Sequence, residues 1–160
     1  MPATLALAPT GLAAGPTAIR VPGATLLASP QATAAAAELA LKSLRGFRTA
    51  GRRAAWWNCS ELARTPGADL RSWGRRLVEQ GGAELVVVCG TGGRDLAVGA
   101  RDAGLPLGRV VVCRDEATAR NVLGDSIAAE DVVLVLGVAG DGCQRLADRL
   151  ESRFAKHLSA

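Results

Sequence analysis

Three observations predict an α/β fold with a mostly parallel sheet. Short apolar runs recur along the chain: Arg53–Asn58, Glu84–Cys89 (ELVVVC), Arg109–Cys113 (RVVVC) and Asp131–Leu136 (DVVLVL). Helix-compatible stretches separate them. Glycine-rich turns close most of the connections. Strands that are apolar throughout are buried on both faces. Alternation with helices implies right-handed βαβ crossovers. The class is therefore a Rossmann-like three-layer α/β/α sandwich over roughly residues 50–158, with a small N-terminal hairpin; the whole domain is expected over 17–160.

In chain order, residues 1–16 are rich in Ala, Pro, Gly and Thr and read as an irregular N-terminal segment. Thr17–Val21 and Ala24–Leu27 flank Pro22-Gly23, a turn dipeptide, and form the hairpin. Ser29-Pro30 reads as a helix N-cap followed by proline at the first helical position. Ala32–Leu44 is dense in alanine and should be helical, stopping near Gly46. Arg53–Asn58 is the first strand of the alternating region. Asp69–Gln80 is a helix closed by Gly81-Gly82. Glu84–Cys89 is the next strand, and Arg94–Ala103 a helix ended by Gly104 and Pro106. Arg109–Cys113 is a strand, Glu116–Leu123 a helix ended by Gly124, and Asp131–Leu136 the last strand. Asp141–His157 is an amphipathic helix with Leu146, Leu150 and Phe154 four residues apart.

Composition removes several function classes. The 160 residues include one histidine, His157, and no tyrosine, so a His-based triad or a multi-His metal site has almost nothing to build on. His157 falls in the last turn of the final helix, where a cation is favourable. A hydrophobic fraction of 49% excludes a disordered chain. No apolar stretch approaches the ~18 residues a membrane span needs. The N-terminus has no basic residue before Arg20 and is broken by Pro2, Pro9 and Pro16, unlike a secretory signal. Cys59, Cys89, Cys113 and Cys143 are widely spaced with no C-x-x-C, which disfavours a zinc ribbon or a redox pair. As reduced thiols they fit a cytoplasmic setting, with Cys89 and Cys113 as small buried hydrophobes.

The net charge of +4 is unevenly distributed. Residues 1–80 carry 10 basic and 4 acidic side chains, and residues 81–160 carry 9 and 11. Arg45, Arg48, Arg52, Arg53, Arg64, Arg71, Arg75 and Arg76 form the basic excess, which suits either an anionic partner or a solvated surface. Only Phe47, Trp56, Trp57 and Trp73 interleave with them, so a base-stacking platform, and with it a nucleic-acid partner, is disfavoured.

Two glycine clusters follow strands and precede helices: Gly90-Thr91-Gly92-Gly93 and Gly137-Val138-Ala139-Gly140-Asp141-Gly142. Backbone N–H groups at a helix start can hold phosphate or carboxylate. Neither cluster is a P-loop or a dinucleotide fingerprint. Asp141 would cap its helix and repel an anion. Asn58, Ser60 and Glu61 stand where the fold places ligands, at the C-terminal end of a parallel strand. Asp115-Glu116 suits a helix start, and Glu130-Asp131 reads as a solvated pair before a strand. Neither of these two pairs has a nucleophile or base beside it in sequence.

The order of these pieces resembles the C-terminal domain of the Mur ligases, ATP-dependent amide-forming enzymes of peptidoglycan precursor synthesis, closest to the D-alanyl-D-alanine-adding (MurF) type. The resemblance covers residues 17–158. Its hairpin is Ile19–Leu27, its alanine-rich helix Ala32–Leu44, and its G-D-M-x-E-L-G-like loop lies in Gly51–Ala63. Ser72-Trp73-Gly74-Arg75 looks like the start of the following helix. Leu136–Asp141 corresponds to the K-G-S-R-G-M-type last turn. Departures are concentrated at polar positions. Asn58 stands for the acidic residue of the loop, and Leu136, Val138 and Ala139 for the lysine, serine and arginine of the last turn. Ala28–Ala34 lacks the Asp, Tyr and Asn of the family's D-x-Y-x-x-N-P segment.

The resemblance implies a stand-alone Mur ligase C-terminal-like domain without the N-terminal and ATPase domains, and not catalytic by itself. It would bind a small anionic ligand or a partner protein, such as a Mur ligase ATPase-domain protein or another cell-wall synthesis protein. The contacts would come from Asn58, Ser60, Glu61, Gly90, Thr91, Gly92, Gly137 and Gly140. No metal ligands are expected, and ATP and Mg²⁺ enter only if the chain is part of a complete ligase. Two alternatives remain open at this point: one subunit of a split ATP-dependent ligase, and an unrelated α/β nucleotide or regulatory module.

Overall fold

The computed structural model describes residues 15–159, with side chains through Lys156. The expected irregular segment therefore lies almost wholly outside the described residues, as does the side chain of His157. The elements are β1 (Thr17–Val21), β2 (Ala24–Ser29), α1 (Ala34–Gly46), β3 (Arg53–Asn58), α2 (Ser60–Ala63), α3 (Leu70–Glu79), β4 (Leu85–Cys89), α4 (Gly93–Asp102), β5 (Val110–Val112), α5 (Glu116–Ser126), β6 (Asp131–Leu136) and α6 (Gly140–Ser159). A 3-10 turn, Leu107–Arg109, precedes β5.

The six strands form one sheet in the order β1-β2-β6-β3-β4-β5. Only β1–β2 is antiparallel; the other four pairings are parallel. The hairpin is part of this sheet, because β2 pairs with β6 from Ala24↔Asp131 to Ser29↔Leu136. The predicted three-layer class is the observed one. Successive side chains of a strand point to opposite faces, which divides the core in two. Trp57, Val86, Val88, Leu134 and Leu136 face α1, α3 and α4. Trp56, Val87, Cys89, Val133 and Val135 face α5 and α6.

Local chemistry corrects several expected boundaries. Ser29-Pro30 does not start α1: Ser29 ends β2, and its hydroxyl donates to the Gln31 carbonyl. Thr33 is the cap, its Oγ1 accepting from the Ala36 N–H at 3.2 Å. Gly124 does not end α5, which continues to Ser126 and is capped at Ile127. Ser60–Ala63, read as loop, is one helical turn. Asp141 lies in the first turn of α6 rather than at its cap.

Asp131 is the largest correction. It is buried, not solvated. One carboxylate oxygen accepts from the Arg52 backbone N–H at 2.7 Å; the other takes the Arg52 guanidinium at 2.9 Å and the Ala128 N–H at 2.8 Å. A buried carboxylate requires such partners. Most of the basic excess is likewise committed within the molecule. Arg53 donates to the Leu44, Arg45 and Phe47 carbonyls at the end of α1. Arg71 pairs with Asp102, Arg75 with Glu79, and Arg76 with Glu38 while stacking on Trp73. Among the described residues no helix is long and apolar enough to cross a membrane.

Candidate functional site

Parallel pairing brings the C-terminal ends of β2, β6, β3, β4 and β5 to one edge of the sheet. Every site residue expected from the sequence lies along that edge. Asn58 ends β3 beside Cys89, and the Cys59 N–H donates to the Cys89 carbonyl at 2.9 Å.

The structure joins Asn58, Ser60, Gly90 and Thr91 directly. The Asn58 Oδ1 accepts from the Ser60 N–H at 3.1 Å, and the Ser60 hydroxyl oxygen accepts from the Thr91 N–H at 3.1 Å. Gly90 has φ +84°, and a Cβ there would collide with both Asn58 Oδ1 and Ser60 Oγ. Glycine is thus required at this position by its conformation and by the closeness of the two side chains. Gly137, with φ +74°, backs onto the Asn58 carbonyl, where a Cβ would sit 2.6 Å from the oxygen. Its N–H donates to the Ser29 carbonyl.

Other expected residues are turned elsewhere. Glu61 Oε1 accepts from the Ala32 N–H at 2.7 Å and so fastens α2 to the segment after β2. Gly92 packs against Leu70 and Ala63. Gly140 is exposed, with nothing near its Cα hydrogens. Glu116, assigned to helix capping in the sequence, is a further member of the polar network. Its Oε2 accepts from the Asn58 amide at 2.7 Å. Asp115 supplies the cap of α5, accepting from the Thr118 N–H at 2.8 Å. That bond, with help from Arg114 and Arg120, holds its carboxyl below the usual aspartate value.

The open volume lies beside this network rather than over it. A cleft of about 550 Å³ is lined by Gly90, Gly92, Gly93, Arg94, Asp95, Val112, Cys113 and Arg114. Its floor is the N-terminus of α4. The Gly93 N–H is used by the Gly90 carbonyl and the Thr91 N–H by Ser60. The next two, of Arg94 and Asp95, have no acceptor within the helix, and Gly92 contributes no capping side chain. The Arg94 guanidinium is exposed and has no bonded partner among the described residues. Arg114 has only an exposed contact to Asp115 at 3.5 Å. Two guanidinium groups thus stand beside free N–H donors, a combination of the kind that attracts anions, and the carboxylate of Asp95 opposes it. Sequence reading missed both arginines. They are singletons in the chain, and only the register of β4 with β5 brings them together.

Burial raises all four cysteine thiols in this setting. All four are free and buried. Burial, then the nearby Cys89, pushes the Cys59 thiol up to about 12. Burial pushes Cys89 up to about 11, opposed by the Trp56 indole N–H and reinforced by Glu116. Among the described residues no cluster of three His, Cys, Asp or Glu side chains is placed to hold a metal ion. The β6–α6 turn does not fit the phosphates of ATP. Val138 is buried, Ala139 is a methyl group, and Asp141 places a negative charge in the first turn. No step through ATP or Mg²⁺ follows from these residues.

An open sheet of this order, closed by an N-terminal hairpin, is the fold of a Mur ligase C-terminal domain. The chain is similar to MurF from Acinetobacter baumannii, with a TM-score of 0.61 and 15% identity over 85% of this chain and 30% of that one. It is similar also to MurF from Thermotoga maritima in complex with ADP, with a TM-score of 0.57 and 15% identity over 92% of this chain and 33% of that one. A domain from a Mur-type ligase of Haemophilus ducreyi aligns over 81% of this chain and 94% of its own, with a TM-score of 0.56 and 13% identity. The chain thus spans about a third of the two MurF structures. No protein-family profile and no curated protein matches it in sequence.

Proposed function

We propose that this domain binds a small anionic ligand in a peptidoglycan-precursor setting and has no catalytic machinery of its own. The ligand lies in the cleft between Gly90–Asp95 and Val112–Arg114. The observation that carries this reading is a division of labour at the sheet edge. Asn58, Ser60, Glu61 and Glu116 each commit a polar atom to one another or to a backbone N–H. The cleft beside them keeps two arginines and free helix N–H groups. The first set holds the edge in shape; the second receives the anion. The ADP complex among the similar ligases makes a phosphate-bearing ligand the natural probe.

The test is an amide-resolved NMR titration with inorganic phosphate and with ADP. Shifts should concentrate at Gly90–Asp95 and Val112–Arg114 and disappear in the Arg94→Gln/Arg114→Gln double variant. Unmoved amides in that cleft at tens of millimolar phosphate and ADP would remove the proposal. So would formation of an amide product by the chain alone from ATP, a UDP-muramyl peptide and D-Ala-D-Ala. A second reading rests on the extent of the match. Because the chain spans a third of the MurF structures, it is proposed in that case as the C-terminal part of a ligase whose ATPase domain lies on a partner. Ligation appearing only on mixing with such a partner selects that reading.

A further inference from the structure

The three exposed large hydrophobic residues among those described are Val98, Leu107 and Val112. They come from α4, the 3-10 turn and β5, at the end of the sheet where β5 has a neighbour on one side only. Val112 is 49% exposed at the last position of that strand. An edge strand free of proline, lysine and bulges offers a row of unpaired backbone groups to another strand.

The hydrogen-bond phase of β5 decides which groups are free. Val87 pairs with Val111, and the Cys113 N–H donates to the Val88 carbonyl at 2.8 Å. Val111 and Cys113 therefore spend their N–H groups toward β4. In a parallel strand the alternate residues point the other way, so the N–H and C=O groups of Val110 and Val112 face outward.

We propose that this edge pairs with the same edge of a second copy, antiparallel, about a two-fold axis through Val112. Three features choose that register. An axis at Val112 makes Val112 and its symmetry mate a hydrogen-bonded pair, using both outward groups. It sets the exposed valine against itself. It also brings Arg109, at the end of the 3-10 turn that leads into β5, toward Asp115 of the other copy, twice. An axis at Val110 or Val111 gives no opposite-charge pair. Arg109 is exposed with no side-chain partner among the described residues, and Asp115, beyond its cap bond, has only the exposed contact to Arg114 at 3.5 Å. Asp115 is also extended, with φ −153° and ψ 172°. The interface is isologous, as a two-fold requires, and forms one continuous sheet of twelve strands from two six-stranded ones.

The edge is short, so its area falls below the ~800 Å² per partner of a stable complex, and association is expected in the high micromolar range. Sedimentation velocity of the whole chain from about 10 μM to about 1 mM should show the mass rise from 16.4 kDa toward twice that value. Arg109→Gln and Asp115→Asn, which keeps the cap, should each weaken association several-fold. The double variant should be no weaker than either single one. Paired α-carbons in a hydrogen-bonded antiparallel pair are ~5.5 Å apart, within disulfide reach. Val112→Cys should therefore form a cross-linked dimer with oxidised glutathione, while Val110→Cys should not. A monomer at every concentration overturns the proposal. So does association in which Val110→Cys cross-links in preference, or in which neither variant does.

Discussion

The two faces of the sheet are built by different means. On one face α3 and α4 meet backbone to backbone. Gly74 of α3 sits against the Leu96 carbonyl, and Gly99 of α4 against the Arg71 carbonyl, each too close for a side chain. Trp57 and Trp73 meet edge to face at 5.9 Å beneath them. On the other face α5 and α6 are held apart and joined by arginines. Arg149 reaches Asn121 and Asp125, and Arg153 reaches the Gly124 and Ile127 carbonyls. Backbone contact has no freedom to yield, whereas a long side chain can swing aside. One face should be brittle and the other forgiving.

The largest expected effect breaks the brittle face. Gly99→Ala or Gly74→Ala adds one methyl group in a helix interior, where propensity alone favours alanine by ~1 kcal/mol. Here the methyl meets a carbonyl oxygen that cannot move without shifting a helix. Overpacking of this kind costs about 3 kcal/mol. Urea denaturation should show a loss, with the sign opposite to the propensity.

Asp131 is next, and it belongs to both faces. It ties Arg52, just before β3, to Ala128, after α5. Asp131→Asn removes the charge and leaves Arg52 without its ion pair. Breaking a buried pair costs about 3 kcal/mol, lessened here because Arg52 is 30% exposed. The loss should fall at or below that of Gly99→Ala in the same assay.

The cysteines compare the faces without mutation. Cys59 belongs to the α3–α4 side and the other three to the α5–α6 side. A thiol whose value is raised in the folded state adds stability below its unfolded value and loses it as pH climbs toward the folded one. With Cys59 at about 12 against an ordinary 9.0, stability should decline from about pH 9 upward. Native-state alkylation followed by mass spectrometry should leave Cys59 last. Cys113, 6% exposed and on the cleft wall, should react first.

Periodicity and β-branched runs made the layers legible in the sequence, because burial on both faces leaves a strand no polar position. Leu85–Cys89 and Asp131–Leu136 carry that signal, whereas the mostly exposed Thr17–Val21 was marked by the Pro22-Gly23 turn beside it. The helix starts were less legible. Ser29-Pro30 and Thr33 are both valid cap signals, and the strand pairing of Ser29 with Leu136 selects between them. Of the candidate site, the residues on the β3 and β4 loops were readable because strand ends and glycine turns mark that edge. Arg94, Arg114 and Glu116 were not, since their proximity depends on which strand lies beside which. The burial of Asp131 was hidden for the same reason: its partner Arg52 is 79 residues away.

The smallest expected effect gives the comparison its sharpest form, because it uses the same substitution. Gly124 lies inside α5, and a Cβ there would collide with Arg149, at Nε, Cδ and Cζ. By distance alone Gly124→Ala looks as harmful as Gly99→Ala. The obstructing atoms, however, are the far end of a flexible and partly exposed side chain. Arg149 can leave Asn121 and Asp125 at a cost of ~0.5 kcal/mol for exposed pairs, and alanine returns ~1 kcal/mol of helix propensity. Gly124→Ala should therefore be neutral or stabilising by about 0.5 kcal/mol in the urea assay that shows Gly99→Ala destabilised. A large loss in Gly124→Ala would mean that the arginine bridges are as rigid as the glycine crossing. The two faces would then differ in chemistry but not in tolerance.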